Sequence, residues 1–387
     1  MSAPIPLRAA RATLASFGAM GLLWGTYAAM VPATKAMLGV DDAGFGLLFL
    51  CSSSAAVVSM LLAPRVGGLL GGAALPVGAF LMAFAFAIPG HLPSVLAFAP
   101  AMALVGFASG GLDVLMNARV SAIEAERNMH LMSLHHAMYS FAYAGGAVLT
   151  GFARGAGFGP GPVLTGAAVL AGLLALATIE PGARLRGLAR DPEARAASKG
   201  PLGLVTLVGG LVILIGFFAE NATEAWSALH IERTLHAAAG VGSAGPALLG
   251  LTMGIGRMSG QVLSSRLREA VLLRLAALTS ATGAAIAAAA PTPAVAYLGF
   301  TILGFGVAVV APVALALIGR ITPAARRTRA IARASTLGYL GFFFGPPLLG
   351  ALSNAFGLRV SFACVALMLL AMLPLLPVLT GRRAEPV

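Results

Sequence analysis

Apolar runs of near-spanning length, repeated down the whole chain, leave this sequence few ways to fold. Twelve can be read: Leu14–Lys35, Phe45–Ala63, Ala73–Ile88, Val95–Ala118, Leu131–Ala153, Val163–Ile179, Leu202–Leu229, Ala244–Val262, Ala270–Ala289, Ala294–Ile318, Ile331–Ala355 and Val360–Leu379. A helix needs about 20 predominantly apolar residues to cross the hydrocarbon core of a bilayer. The third and sixth runs are short, so their ends are loosely defined. Only 10% of the 387 residues are charged and 59% are hydrophobic, too few charges to coat a soluble protein of this length. The expected fold is an all-α membrane protein of twelve transmembrane helices.

The formal net charge of +12 would suit a nucleic-acid partner, but its distribution argues against one. With the N-terminus cytoplasmic, the inside loops hold all of the 25 basic residues except Lys35, Arg154, Arg233 and Arg359. That tally counts Arg257, near a helix end, with the loops. Such a bias sets topology and places both termini in the cytoplasm. Cys51 and Cys364 each lie inside an apolar run, so no disulfide framework is implied. Arg8 and Arg11 precede the first run as in a signal peptide, but the run is too long and lacks a cleavage site, and it is read as a span. The preference for Arg over Lys, with abundant Ala and Gly, suggests a GC-rich bacterial genome and hence an inner membrane.

The longest polar stretch, Glu180 to Gly200, divides the runs six and six. Residues 1–180 are expected to form one six-helix bundle, 181–200 a cytoplasmic linker and 201–387 a second bundle, the layout of a two-bundle transporter. Weak internal similarity agrees: Gly145-Gly-Ala-Val-Leu-Thr-Gly-Phe resembles Gly345-Pro-Pro-Leu-Leu-Gly-Ala-Leu, and Leu104-Val-Gly-Phe-Ala resembles Leu303-Gly-Phe-Gly-Val. Pairs of glycines four apart, among them Gly106 with Gly110, Gly256 with Gly260 and Gly341 with Gly345, are expected to let helix backbones pack closely.

Polar side chains inside such runs are costly, so they mark candidate sites. Asp113 lies in the fourth run, and Asn117 follows on the same helical face, where it either orients the acid or binds solute hydroxyls. The bland reading of Asp113 is a structural acid bonded to Arg119 or His135. Glu220 and Glu224 share a face of the seventh run beside Asn221 and Trp226; two carboxylates so close cannot both ionise cheaply, so one is expected to hold a proton. The polar stretch from Asn221 to Ser227 suggests a break in the helix lining a cavity. His136 and Tyr139 share a face of the fifth run, and His135 points about 100° away, so at most one of the two histidines faces a cavity. Trp24 and Tyr27, at mid-depth in the first run, can stack on a solute ring. Asp41 and Asp42 are expected to be solvated in the first outside loop. No third ligand accompanies the histidines, so no metal site is expected, and no cofactor is implied.

Several stretches resemble the major facilitator superfamily, and the resemblance covers essentially the whole chain. It looks closest to the fucose-permease-like branch of proton-linked sugar carriers and their bacterial relatives. Leu23-Trp24-Gly25 is similar to that branch's Leu-Trp-Gly, Asp113-Val-Leu-Met-Asn117 to its acid-x-x-x-Asn pattern, and Ser133-Leu-His-His136-Ala-Met-Tyr139 to its solute-facing segment. Glu220-Asn-Ala-Thr-Glu224-Ala-Trp226 resembles a further acid-then-Trp stretch. The resemblance implies two pseudo-symmetric six-helix bundles, proton coupling through Asp113, and His136 rather than His135 toward the solute. There are departures. Pro32 stands where fucose permeases carry a second acid in the first helix, the loop after the second run has no Asp, and Gln261 follows Gly256-Arg257 where relatives often have Asp.

The expected function is secondary active transport of a small polar solute, sugar-like or another small metabolite, by alternating access. Proton coupling falls to Asp113, Glu220, Glu224 and His136, and solute contact to Trp24, Tyr27, Asn117, His136, Tyr139, Asn221 and Trp226. The partners are the solute, protons and the bilayer, with no nucleic acid, and the carrier is read as a monomer. Drug or metabolite efflux by proton antiport is the main rival, and the missing first-helix acid also allows a uniporter. An intramembrane enzyme would need a paired nucleophile and base or a ligand cluster at membrane depth, which the spacing does not supply. A channel would want a filter motif or charge rings. No Gly-x-x-x-x-Gly-Lys motif is present to bind ATP.

Overall fold

A computed structural model describes residues 7–180 and 203–380. The expected linker, 181–200, lies outside the described residues. The helices are α1 (Leu7–Leu38), α2 (Asp42–Leu70), α3 (Ala74–Ala87), α4 (Val95–Arg127), α5 (Met132–Gly155), α6 (Pro160–Leu176), α7 (Leu204–Leu229), α8 (Ala244–Arg266), α9 (Glu269–Ala289), α10 (Pro293–Val307), α11 (Val310–Ile321), α12 (Ala324–Leu370) and α13 (Leu376–Thr380). No strand occurs among the described residues. Seven helical stretches of these are long and apolar enough to cross a bilayer, with Pro160–Leu176 a shorter apolar helix beside them. One of the seven, Asp42–His91, runs to 50 residues and takes in both α2 and α3. α5, with two histidines, and α8, with a central arginine, are not among the seven.

Two expected runs are divided. The tenth breaks into α10 and α11 at Ala308–Val309, and the twelfth into α12 and α13 at Ala371–Leu375; between the eleventh and twelfth runs α12 contains one non-helical residue, Gly357 (φ 82, ψ 163). That positive φ is open to glycine at little cost, and here it turns one helical axis into two.

Contacts divide the described chain into residues 7–39 with 51–180, and residues 40–50 with 203–380. In the first unit α1 lies along α5 and α6, and α3 lies against α4 and α6. The approach of α1 to α5 depends on Gly21 and Gly25: a Cβ on either would collide with the backbone of Tyr139 or Tyr143. Gly106 and Gly110 likewise admit the backbone of α2 at Ser52 and Ala56, so the paired glycines serve packing as expected. In the second unit α7 lies along α12, where Gly341 touches the Leu214 carbonyl, and α9 packs on α10 and α12. α2 begins in the second unit and continues into the first without a break in its helix.

Candidate functional site

In the first unit the polar residues gather on α1, α4 and α5. Asn117 Nδ2 donates to Asp113 Oδ1 at 3.0 Å and to the Asp113 carbonyl at 2.8 Å, so Asn117 orients the acid. Neither partner proposed for a purely structural Asp113 reaches it. Arg119 pairs with Glu180 at 3.6 Å. His135 is fully buried and bonds Thr13 Oγ1 and the Leu131 carbonyl, both at 2.8 Å. No cation pairs with Asp113 among the described residues. His136 and Tyr139 are half-buried, and His136 meets the Phe17 ring edge-on at 5.2 Å. Trp24 is half-buried and makes edge contacts with Tyr27 (5.9 Å) and Phe86 (5.2 Å). Tyr27 is itself buried. Glu124 accepts the Leu131 and Met132 amides at 2.5 and 2.8 Å and so caps the start of α5.

In the second unit α7 carries the site. The expected break at Asn221–Ser227 is absent: α7 is helical through to Leu229, and the irregularity is a π-turn at His230–Thr234. Most of its polar side chains are shielded by protein: Glu220, Thr223, Trp226 and Ser227 are buried, and Asn221 and Glu224 are half-buried. Thr223 donates back to the Ala219 carbonyl, and Trp226 is fully buried with Nε1 donating to the Pro346 carbonyl at 3.0 Å. That bond uses the one indole donor Trp226 could have offered a solute. Glu220, also buried, is paired with Arg257 of α8 at 2.9 Å. Arg257 therefore does not belong with the basic loops; its side chain is 15% exposed and lies within a helix. The missed signal was chemical: an acid pair in an apolar run needs a countercharge.

Between Val208 and Ser227 every residue of α7 is buried except Leu211, Leu214, Phe217, Asn221 and Glu224. These recur at three- and four-residue spacing and form a single stripe. Glu224 makes no hydrogen bond or ion pair among the described residues, though Glu220 and Arg257 lie within electrostatic reach of it. The ring of Phe217 packs on Phe342 (4.4 Å between centroids) and on Tyr339 (5.6 Å), both on α12.

A second charged cluster in this unit overturns the expectation of a solvated Asp42. Asp42 is 3% exposed. Arg233, in the π-turn, grips it with both terminal nitrogens at 2.7 and 2.6 Å, and Ser353 of α12 donates to it. Asp41 stays at the surface and accepts the Gly44 amide. Asp42→Ala is expected to lower stability by about 1–3 kcal/mol, the worth of a charge-assisted hydrogen-bond set. The loss stays in that range because Arg233, 42% exposed, can turn to water. A thermal melt in detergent reads the change, and a melting temperature equal to wild type would show the cluster is idle.

Known proteins place this geometry. The Major Facilitator Superfamily profile matches residues 268–387. An uncharacterized MFS-type transporter of Yersinia pestis is 30% identical over 371 residues, covering 92% of both chains. An uncharacterized transporter of Sinorhizobium fredii is 27% identical over 388 residues, covering 95% of this chain and 97% of its own. Among solved structures the nucleoside transporter NupG superposes with a TM-score of 0.75 at 14% identity over 98% of this chain and all of its own. A D-xylose–proton symporter does so with a TM-score of 0.68 at 17% identity, over 96% of this chain and 98% of its own. Proteins of this family are transporters and not enzymes, and with identity at that level sustained along nearly its whole length, this multi-pass membrane chain belongs to the major facilitator superfamily.

Proposed function

We propose that the protein is a proton-coupled secondary transporter that moves a small polar solute across the bacterial inner membrane by alternating access. In this reading twelve crossings form two six-helix bundles, 1–180 and 201–387, with the linker and both termini cytoplasmic. Asp113 carries the argument. It sits inside a helix long and apolar enough to span, held by Asn117 and paired with no cation among the described residues. A bare carboxylate there is expensive, and a proton removes the charge that would oppose reorientation. Glu220 plays a different part, because Arg257 already balances it; exchange of that ion pair for a protonated Glu220 is the second coupling step. Trp24, Asn117, His136 and Tyr139 supply solute contacts from the first unit, and Asn221 and Glu224 from the second. Tyr27 and Trp226 hold the helices that carry those contacts. The sugar–proton symporter among the neighbours shares the fold, which is compatible with this reading.

Purified protein in liposomes loaded with a pH-sensitive dye tests it. Sugars, nucleosides and small amines are added in turn outside at matched pH. Symport acidifies the lumen as solute enters, antiport makes it more alkaline, and a uniporter gives solute flux with no dye response, which would end the proton-coupled reading.

A further inference from the structure

We infer that the half-buried stripe of α7, with the aromatic rings beside it, takes a solute built as a flat ring carrying a positively charged amine. The inference rests on the transport reading and narrows its solute class. Three observations carry it. First, the stripe Leu211, Leu214, Phe217, Asn221 and Glu224 is the one face of α7 between Val208 and Ser227 that the protein buries only in part. A face ending in Asn221 and Glu224 is a poor match for lipid, since charged and amide side chains in spanning segments turn toward protein or a watery path. Second, at Phe217 the stripe meets a platform of three rings: Phe217, Phe342 and Tyr339 lie 4.4, 5.6 and 6.1 Å apart between centroids. They are tilted by only 35–42° from one another, and Tyr339 is 44% exposed. Faces so arranged accept a flat ring by stacking and attract a cation near it.

Third, the charges differ in kind. Glu220 is already spoken for by Arg257, whereas Glu224 holds no hydrogen bond or ion pair among the described residues. From Phe217 to Glu224 is seven residues along the helix, roughly 10 Å at 1.5 Å per residue. An aralkylamine with a four-carbon tether bridges that rise once the Glu224 side chain extends toward the amine. A neutral sugar would leave Glu224 with only the field of Arg257, which is already bonded to Glu220, and an anion would be repelled by it. An ammonium group satisfies it as a charge-assisted partner.

Calorimetric titration of the detergent-purified full chain with 4-phenylbutylamine and its neutral counterpart 4-phenylbutanol, at matched pH and salt, tests the assignment. The amine is expected to bind at least about tenfold more tightly than the alcohol, a difference of one charged contact. Glu224→Gln should erase that preference, so that amine and alcohol bind the variant with equal affinity. Tyr339→Leu, which keeps an apolar side chain at this part-exposed position, should weaken the amine by about 2- to 30-fold, the range of a cation–ring contact. Equal affinity for amine and alcohol in wild type, a preference that survives Glu224→Gln, or binding of neither compound would each overturn the assignment. Binding needs no pH gradient. A chain that fails here yet moves protons with another solute keeps the coupling reading, and one that binds the amine but gives no dye response keeps this one.

Discussion

Asp113→Asn is expected to abolish pH-gradient-driven accumulation of the solute while leaving movement down its own gradient intact. Asparagine is close in shape, keeps a carbonyl for the Asn117 amide and can never carry the charge, so it imitates the protonated acid permanently. With one proton per solute, each pH unit across the membrane is worth about 1.4 kcal/mol, or about tenfold accumulation. The wild-type protein should therefore concentrate solute about tenfold per unit, and the variant should level near equality. Counterflow exchange at matched pH should persist in the variant, because the site and its reorientation remain. Steady-state accumulation in liposomes reads both. A variant that concentrates solute as well as wild type would remove Asp113 from the coupling machinery.

The second large effect concerns the buried pair in the other unit. Arg257→Gln strips Glu220 of its counterion while leaving the acid 7% exposed. Breaking a buried ion pair from one side costs about 3–5 kcal/mol, because the remaining charge is desolvated and unmatched. Changing both partners, Glu220→Gln with Arg257→Gln, removes the charges together and should restore most of that stability, a coupling that additive single effects would not show. Melting temperatures of wild type, both single variants and the double variant complete the cycle. The transport consequence differs from the stability consequence. The double variant should fold well yet respond less steeply to pH, since one exchangeable proton site is gone. If the single Arg257 variant melts with wild type, the ion pair is not a structural element of the bundle.

The membrane class and the candidate acids were legible in the sequence because each is a local property. Hydropathy summed over a span and the cost of a charge within it both depend on residues near one another in the chain, which is why Asp113, Glu220 and Glu224 stood out. Asn117 was placed against Asp113 by helical spacing alone, and the two are bonded. The basic residues were weighed by loop position, a statistical rule, and it put Arg257 on the wrong side of the helix end. The short third run merged with the second into one 50-residue stretch, because a three-residue turn after α2 leaves no polar gap for hydropathy to detect.

Distant partners were decided by tertiary structure. Arg257 meets Glu220 across 37 residues, Trp226 meets Pro346 across 120, and Asp42 meets Arg233 across 191. Composition set which groups needed partners, and packing chose which partners they found. The expected break in α7 failed for that reason: its polar residues looked too costly for a helix in lipid, but neighbouring protein buries Glu220, Thr223, Trp226 and Ser227 and half-buries Asn221 and Glu224. The histidine pair shows the same division. Periodicity separated the faces of His135 and His136 by about 100°, while Thr13 and the Leu131 carbonyl determined that His135 is the one held inside. The sequence alone settled a membrane-spanning helical chain with acids at depth, because transfer from water to lipid acts on each segment by itself. Which acids are paired and which face of α7 is only half-buried were decided only where the helices meet.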